Sequence, residues 1–211
     1  MDLYKKMRKR TQTELPYAQD IVVEKIYDYL PEVVLHGGTL IWRCYAGNRF
    51  SEDLDFYAAS RLGIQGFFDD LKPLGFVIEK LRIKENSGYI KLLHARSELK
   101  VEFLFKKVQA STLFYETVEG RRVMVRGLTP ESVIMEKVEA YMPRKKARDL
   151  YDIVHMLGIA KKTQEVKGRL AALIESFRPP LDFSELKSTV LTGYVPTPDE
   201  MLELIIGWAR N

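Results

Sequence analysis

Asp53 and Asp55 stand one residue apart in the stretch "RFSEDLDFY", with Glu52 beside them and Phe50 and Phe56 on either side. A folding argument alone would place apolar residues there, so the acids call for a chemical reason. On an extended strand alternate side chains share a face, which sets both aspartates on one side, Cα atoms about 7 Å apart, and turns Leu54 and Phe56 to the core. Two unpaired carboxylates at that spacing repel. A hard divalent ion such as Mg2+ relieves the repulsion by taking oxygens from both, and it keeps positions open for phosphate. Two surface acids on a solvated strand edge give the same D-x-D pattern, so the pair acquires meaning only from its surroundings.

Two neighbourhoods supply that meaning. About fifteen residues upstream, Gly37 and Gly38 close the β-branched run "EVVLHGG", where a strand meets a turn and then a helix. Without side chains there, backbone N–H groups can approach a phosphate, and Thr39 adds a hydroxyl at the helix start. Downstream, Glu102 interrupts the strand "LKVEFLF", whose Val101, Phe103 and Phe105 suit the core, so its carboxylate can share the side of the aspartates. Three carboxylates from two strands can hold two Mg2+ ions, one on nucleotide phosphates and one on an attacking hydroxyl. Phosphoryl-type transfer needs little beyond positioning and charge neutralisation.

The elements that must position these residues follow from periodicity. Ala18, Ile21, Val22, Ile26, Tyr29 and Leu30 recur at helical spacing over 14–30, and "TLIWRCYA" predicts a short helix before the strand "LDFYA". After a helix near 61–72, the runs "GFVIEKLRI", "GYIKLLHA" and "LKVEFLFK", broken at "KENS" and "RSE", predict a meander, and a further hairpin crosses "VEGRR". At "GLTPES" the texture changes: Thr129 can cap a helix with Pro130 at its first position, and helices follow near 130–142, 146–158, 165–177, 182–191 and 198–209. The last opens on a capping box from Thr197 to Glu200. The boundary falls near Arg126, giving a catalytic domain over 1–126 and a helical domain over 127–211 that completes the site.

A chain of 211 residues can bury a core without disulfides, and its single cysteine, Cys44, in a short apolar helix, reads as packing. No apolar run approaches the ~20 residues of a membrane span, so the expected setting is the cytoplasm, with no membrane partner. The formal charge of +4 is unevenly spread: "KKMRKR" opens the chain, "RKKAR" covers 144–148, and Lys161, Lys162, Lys167 and Arg169 follow. Such clusters suit a polyanion such as RNA, or simply a solvated helix surface. His36, His94 and His155 match no zinc spacing, which argues against a zinc hydrolase, although His36 adjoins the glycines. Ser51 has no partners for a nucleophile, and Trp42, Phe67, Phe68 and Trp208 suit core positions.

Hydrophobic-Gly-Gly-Thr followed by R-x-S-x-D-L-D-F, with its first Asp about fourteen residues after the Thr, resembles the DNA polymerase β-type nucleotidyltransferase superfamily. More narrowly, "GGTLIWRCYAGNRFSEDLDF" is similar to the AbiEii/AbiGii toxin family, which includes the mycobacterial MenT toxins. "EKVEAYMPRKKARDLYDIVHML" over 136–157 resembles that family's Lys and Arg-Asp-x-x-Asp helices. The likeness spans roughly 35–157. It implies an α+β fold: a nucleotidyltransferase-like mixed β-sheet flanked by helices, followed by a C-terminal helical region. Gly38 and Thr39, beside Gly37, would form the phosphate element, and Asp53 and Asp55 the metal pair. Glu102, where many members carry Asp, would be ligand or base. Lys137 would reach the triphosphate, Asp149 or Asp152 would orient it or contribute to the site, and Arg49 and Ser51 would steady the loop or touch phosphate.

From the residues alone, Ile134, Met135, Val138, Tyr141 and Met142 form an apolar face beside Lys137, and Leu150, Ile153, Val154 and Leu157 form a stripe that leaves Asp149 and Asp152 on another face. A Lys137–Asp149 salt bridge between helices is the purely structural alternative. The expected activity is Mg2+-dependent transfer of NMP from an NTP to an acceptor, tRNA or another RNA or a protein, by the toxin of a toxin–antitoxin or phage-defence system with a cognate antitoxin. The alternatives are a non-catalytic nucleotide- or RNA-binding module on the same fold and, with a poorer fit, a D-x-D glycosyltransferase.

Overall fold

The computed structural model describes residues 11–61 and 63–210. The basic opening "KKMRKR" lies outside the described residues. The chain divides into two units, 1–46 with 50–128 and 47–49 with 129–211.

The first unit is a seven-stranded mixed sheet with three helices. The helices are α1 (Thr11–Tyr29), α2 (Gly37–Cys44) and α3 (Ile64–Leu71), the last followed by a single 3-10 turn at Lys72–Leu74. The strands are β1 (Val34–His36), β2 (Leu54–Ala58), β3 (Phe76–Ile83), β4 (Ser87–His94), β5 (Ser97–Phe105), β6 (Ser111–Glu116) and β7 (Arg122–Gly127). Their order is β3-β4-β5-β2-β1-β7-β6. The predicted meander is present as β3-β4-β5, antiparallel throughout, while β2 runs parallel to β5 and β1 parallel to β7. Strict alternation drives this packing. Leu99, Val101 and Phe103 on β5, Ile90 and Leu92 on β4, and Leu54 and Phe56 on β2 are sealed from solvent, whereas their neighbours Lys91, Lys100 and Glu102 are not. α1 packs on α3 and β5 through Ala18, Val22 and Ile26, each fully buried, at helical spacing.

Helix α2 starts at Gly37, two residues earlier than the sequence suggested. Gly37 has φ +72, and a Cβ there would lie 2.2 Å from Asp55 Oδ2, so the turn from β1 into the helix requires glycine.

The second unit is helical: α4 (Pro130–Arg144), α5 (Ala147–Leu157), α6 (Gln164–Glu175), α7 (Phe183–Thr189) and α8 (Pro198–Arg210). Thr129 caps α4, accepting from the Ser132 amide at 3.3 Å with Pro130 next in line. The capping box closes reciprocally, Thr197 N–H donating to Glu200 Oε2 at 2.7 Å and Glu200 N–H to Thr197 Oγ1 at 3.3 Å. α5 is the hub, packed by α4, α7 and α8. Gly47–Arg49 joins these helices through an isolated bridge between Arg49 and Val190 and through Leu191 N–H donating to Asn48 O at 2.9 Å.

Candidate active site

Register puts the acids together. Asp55 on β2 is the Cα partner of His36 on β1 and of Glu102 on β5. Paired positions share a face, and neighbouring strands lie about 4.8 Å apart, so Asp55 and Glu102 project side by side from the face opposite Leu54 and Phe56. The Asp55 carboxylate rests in the hollow left by Gly37. Burial, then the charges of Asp55 and Asp53, raise the Glu102 pKa above the usual carboxylate range, while Lys100 and His36 pull it down. Asp53 sits in the loop just before β2 rather than on the strand.

The donor set is hard oxygen, suited to Mg2+ by type. Among the described residues no group of three His, Cys, Asp or Glu is gathered tightly enough to hold a metal ion. The residues therefore fit such an ion by chemistry and by shared face, with the oxygens not drawn into a finished cage.

The loop carrying the acids is pinned from two helices. Thr39, fully buried on α2, donates its hydroxyl to Asp53 O at 2.5 Å. Its side chain therefore helps set the loop's position. Gln19 on α1 donates Nε2 to Ser51 O at 2.9 Å and to Glu52 O at 3.0 Å. The sequence reading did not single out Gln19. The available signal was a polar residue on the apolar stripe of α1, where a buried amide must be satisfied. Beneath it, Asp20 accepts from Arg43, from Tyr115 Oη at 2.9 Å and from the Val118 amide at 2.8 Å, tying α1 to α2 and β6. The Arg43 guanidinium also lies between the rings of Trp42 and Tyr115, at 4.6 and 4.7 Å. Arg43 was legible only as one charge inside "LIWRC".

In the helical unit, Lys137, Asp149 and Asp152 form a buried ion network. Lys137 Nζ lies 2.7 Å from Asp152 and 3.5 Å from Asp149. Arg49 grips Asp152 with two bonds, Nε to Oδ1 at 2.9 Å and NH2 to Oδ2 at 2.8 Å, and Arg144 grips Asp149 likewise at 2.7 Å each. Against burial, which would raise it, Arg49 and Lys137 hold the Asp152 pKa down at about 2. Asp149 and Asp152 are thus not on a face apart from the packing of α5, as the spacing suggested. Surrounded by three helices, α5 buries both, and its partner cations come with them.

The remaining residues fall as expected of structural side chains. His36 stacks on Tyr57 with ring centroids 3.9 Å apart, and His94 on Phe76 at 4.4 Å. Burial pushes the Cys44 thiol up to about 12, so it is not a nucleophile at neutral pH. Phe67 and Phe68 are fully buried, Trp42 packs edge-on to Phe50, and Trp208 donates to Leu157 O at 2.9 Å.

Glycine turn, short helix and paired acids on the central strands of a mixed sheet define a nucleotidyltransferase fold, and solved structures share it. JHP933 from Helicobacter pylori superposes with a TM-score of 0.70 at 20% identity, covering 97% of this chain and 92% of that one. A second H. pylori protein, described as a putative nucleotidyltransferase, gives 0.67 at 21%, covering 96% and 95%. MenT4, a nucleotidyltransferase toxin from Mycobacterium tuberculosis, gives 0.64 at 18%, covering 94% and 87%. Among curated proteins none matches the chain in sequence. Residues 24–189 match the family model described as nucleotidyl transferase AbiEii toxin, type IV toxin–antitoxin system, and the chain belongs to that family. It is therefore a nucleotidyltransferase of the toxin–antitoxin class.

Proposed function

We propose that the chain transfers a nucleoside monophosphate from an NTP to an RNA acceptor, tRNA foremost, with Mg2+, as the toxin whose cognate antitoxin restrains it. The observation carrying this reading is the register row that seats Asp55 beside Glu102 and against Gly37, at the start of α2. Amides of the first turn of α2 offer donors to phosphate oxygens, aided by the helix dipole and by the absence of acids in that turn. Asp53 and Asp55 supply oxygens for the cation, which when bound neutralises triphosphate charge and leaves the α-phosphorus open to attack. In the transfer an acceptor oxygen bonds to that phosphorus, the bond to the β-phosphate oxygen breaks, and pyrophosphate leaves.

Glu102 either adds an oxygen to the same cation or takes the acceptor's proton. Glu102→Gln separates the roles: the neutral amide accepts no proton and is a far weaker Mg2+ ligand than a carboxylate, so retained Mg2+-dependent NTP binding without transfer marks the base, and loss of both marks the ligand. In the helical unit this reading gives Lys137 an ammonium that Asp152 and Asp149 orient, and the salt bridges there support the orienting role. Arg49, spent on Asp152, acts with them, and Ser51 acts through its backbone carbonyl in the pinned loop. Among the described residues no helix is long and apolar enough to cross a membrane.

Incubation with Mg2+, labelled NTPs and total RNA is expected to label RNA. Asp53→Ala and Asp55→Ala are each expected to reduce labelling by at least about a hundredfold, the scale on which positioned charge acts in catalysis. Undiminished labelling in both variants would remove the proposed site.

A further inference from the structure

Among the described residues, the basic runs over 144–148 and 161–169 are largely engaged. Arg144 holds Asp149, Lys146 lies 3.1 Å from Asp182, Arg169 lies 2.9 Å from Glu139, and Lys162 covers the Trp208 ring. A different basic surface stands on β3 and β4. There Lys80, Arg82, Lys84, Ser87 and Tyr89 line an open groove of about 240 Å³, and the Lys80 ammonium lies 5.5 Å over the Tyr89 ring. Among the described residues none of these three cations has a carboxylate partner, whereas Lys91, the register partner of Lys80, is bound by Glu98 at 2.7 Å and Glu79 at 3.1 Å.

Register connects this groove to the acids. Arg82 pairs with Tyr89, Tyr89 with Glu102, and Glu102 with Asp55, so one row crosses β3, β4, β5 and β2 on a single face. At about 4.8 Å per strand, Tyr89 stands about 10 Å and Arg82 about 15 Å from Asp55. We propose that this face of β3 and β4 is the docking track for a single-stranded RNA acceptor. Its phosphates meet Lys80, Arg82 and Lys84, one base stacks on Tyr89, and its reactive end is delivered along the row to Asp55 and Glu102. The proposal rests on the transfer to RNA proposed above. Charge selects the occupant: three cations lacking carboxylate partners suit a polyanion, and an aromatic ring between them suits a base. The row's acids would repel the strand without a cation bound, so the track ends where the triphosphate begins. Edge strands also carry lysines simply to prevent sheet-to-sheet pairing, and β3 is an edge strand.

Fluorescence anisotropy with a labelled single-stranded RNA of about 12 nucleotides, a length within the span such grooves bind, separates the two roles across a salt series. The variant Lys80→Gln/Arg82→Gln/Lys84→Gln keeps polar side chains on the edge. It is expected to bind RNA at least about tenfold more weakly, with a slope of log Kd against log salt shallower by about 2, from three phosphate contacts. Its KM for NTP is expected to stay within about twofold of wild type. Tyr89→Leu is expected to weaken binding about tenfold, and Tyr89→Phe to retain it. Unchanged RNA affinity and salt slope in the triple variant, with RNA still labelled, would overturn the track and leave the nucleotidyl transfer standing. Wild-type protein that labels only a protein acceptor would overturn track and RNA acceptor together. Should the triple variant fail to fold, Arg82→Gln alone decides, and undiminished RNA binding by it overturns the track.

Discussion

At Glu102 burial, then the charges of Asp55 and Asp53, raise the pKa of the carboxyl, so its ionised form is held at a cost. Like charges opposite one another on a sheet are destabilising, so Glu102→Gln is expected to raise stability by about 0.5 kcal/mol without Mg2+ while abolishing transfer. Urea unfolding of wild type and variant, with and without Mg2+, checks this; a variant less stable than wild type in the cation-free series would contradict it. The shared face of Asp55 and Glu102 was legible because alternation along a strand fixes the side each residue takes. Gln19 and Arg43 were not, because one polar residue on a helical stripe looks the same in sequence whether water or a loop carbonyl satisfies it. Thr39 was legible as a hydroxyl near glycines, but its acceptor, the carbonyl of Asp53, is a backbone group that no side-chain pattern reveals.

At the scale of elements, α1 and α2 act as fixed posts for the loop between Phe50 and Leu54. Gln19 supplies two of its bonds and Thr39 a third. Gln19→Leu leaves two loop carbonyls without these donors, at about 1–2 kcal/mol of stability, and lets the aspartates shift. Because displacement of about 1 Å can cost a hundredfold in rate, kcat is expected to fall at least about tenfold, while the melting temperature drops only a few degrees. Steady-state kinetics beside a thermal melt tests this, and full kcat in a folded variant would show that the loop needs no post. Most elements could be read in advance because their periodicity is local: the meander β3-β4-β5 and the five C-terminal helices follow alternation, breakers and caps. The parallel pairing of β2 with β5 and β1 with β7 could not, since it joins strands distant in sequence.

Across the molecule, the ion network around Asp152 sets the acid limit of the helical unit. With its folded pKa at about 2 and an ordinary value of 3.8, Asp152 contributes its full stabilisation above about pH 4 and loses it as pH falls toward 2. The amount is about 2 kcal/mol. Asp152→Asn is expected to lack that acid-dependent part and to be less stable at neutral pH by about 3–5 kcal/mol, because the buried Arg49 and Lys137 lose the carboxylate they share and Lys137 keeps only its longer contact to Asp149. Urea unfolding at a series of pH values measures both, and an Asp152→Asn variant as stable as wild type at pH 7 would refute the account. The spacing of Asp149 and Asp152 was plain in the sequence, but their burial was not, since it depends on three helices closing over α5.

Gly47–Arg49 belongs with the helices although it is encoded between segments of the sheet. Arg49 is the residue that grips Asp152, so the helical part cannot be inherited as a block cut out at one point in the gene. A recombination event that exchanged only the codons after Leu128 would deliver an Asp152 matched to a different ancestor's arginine loop. Positions 49 and 152 are therefore bound to change together if either changes at all.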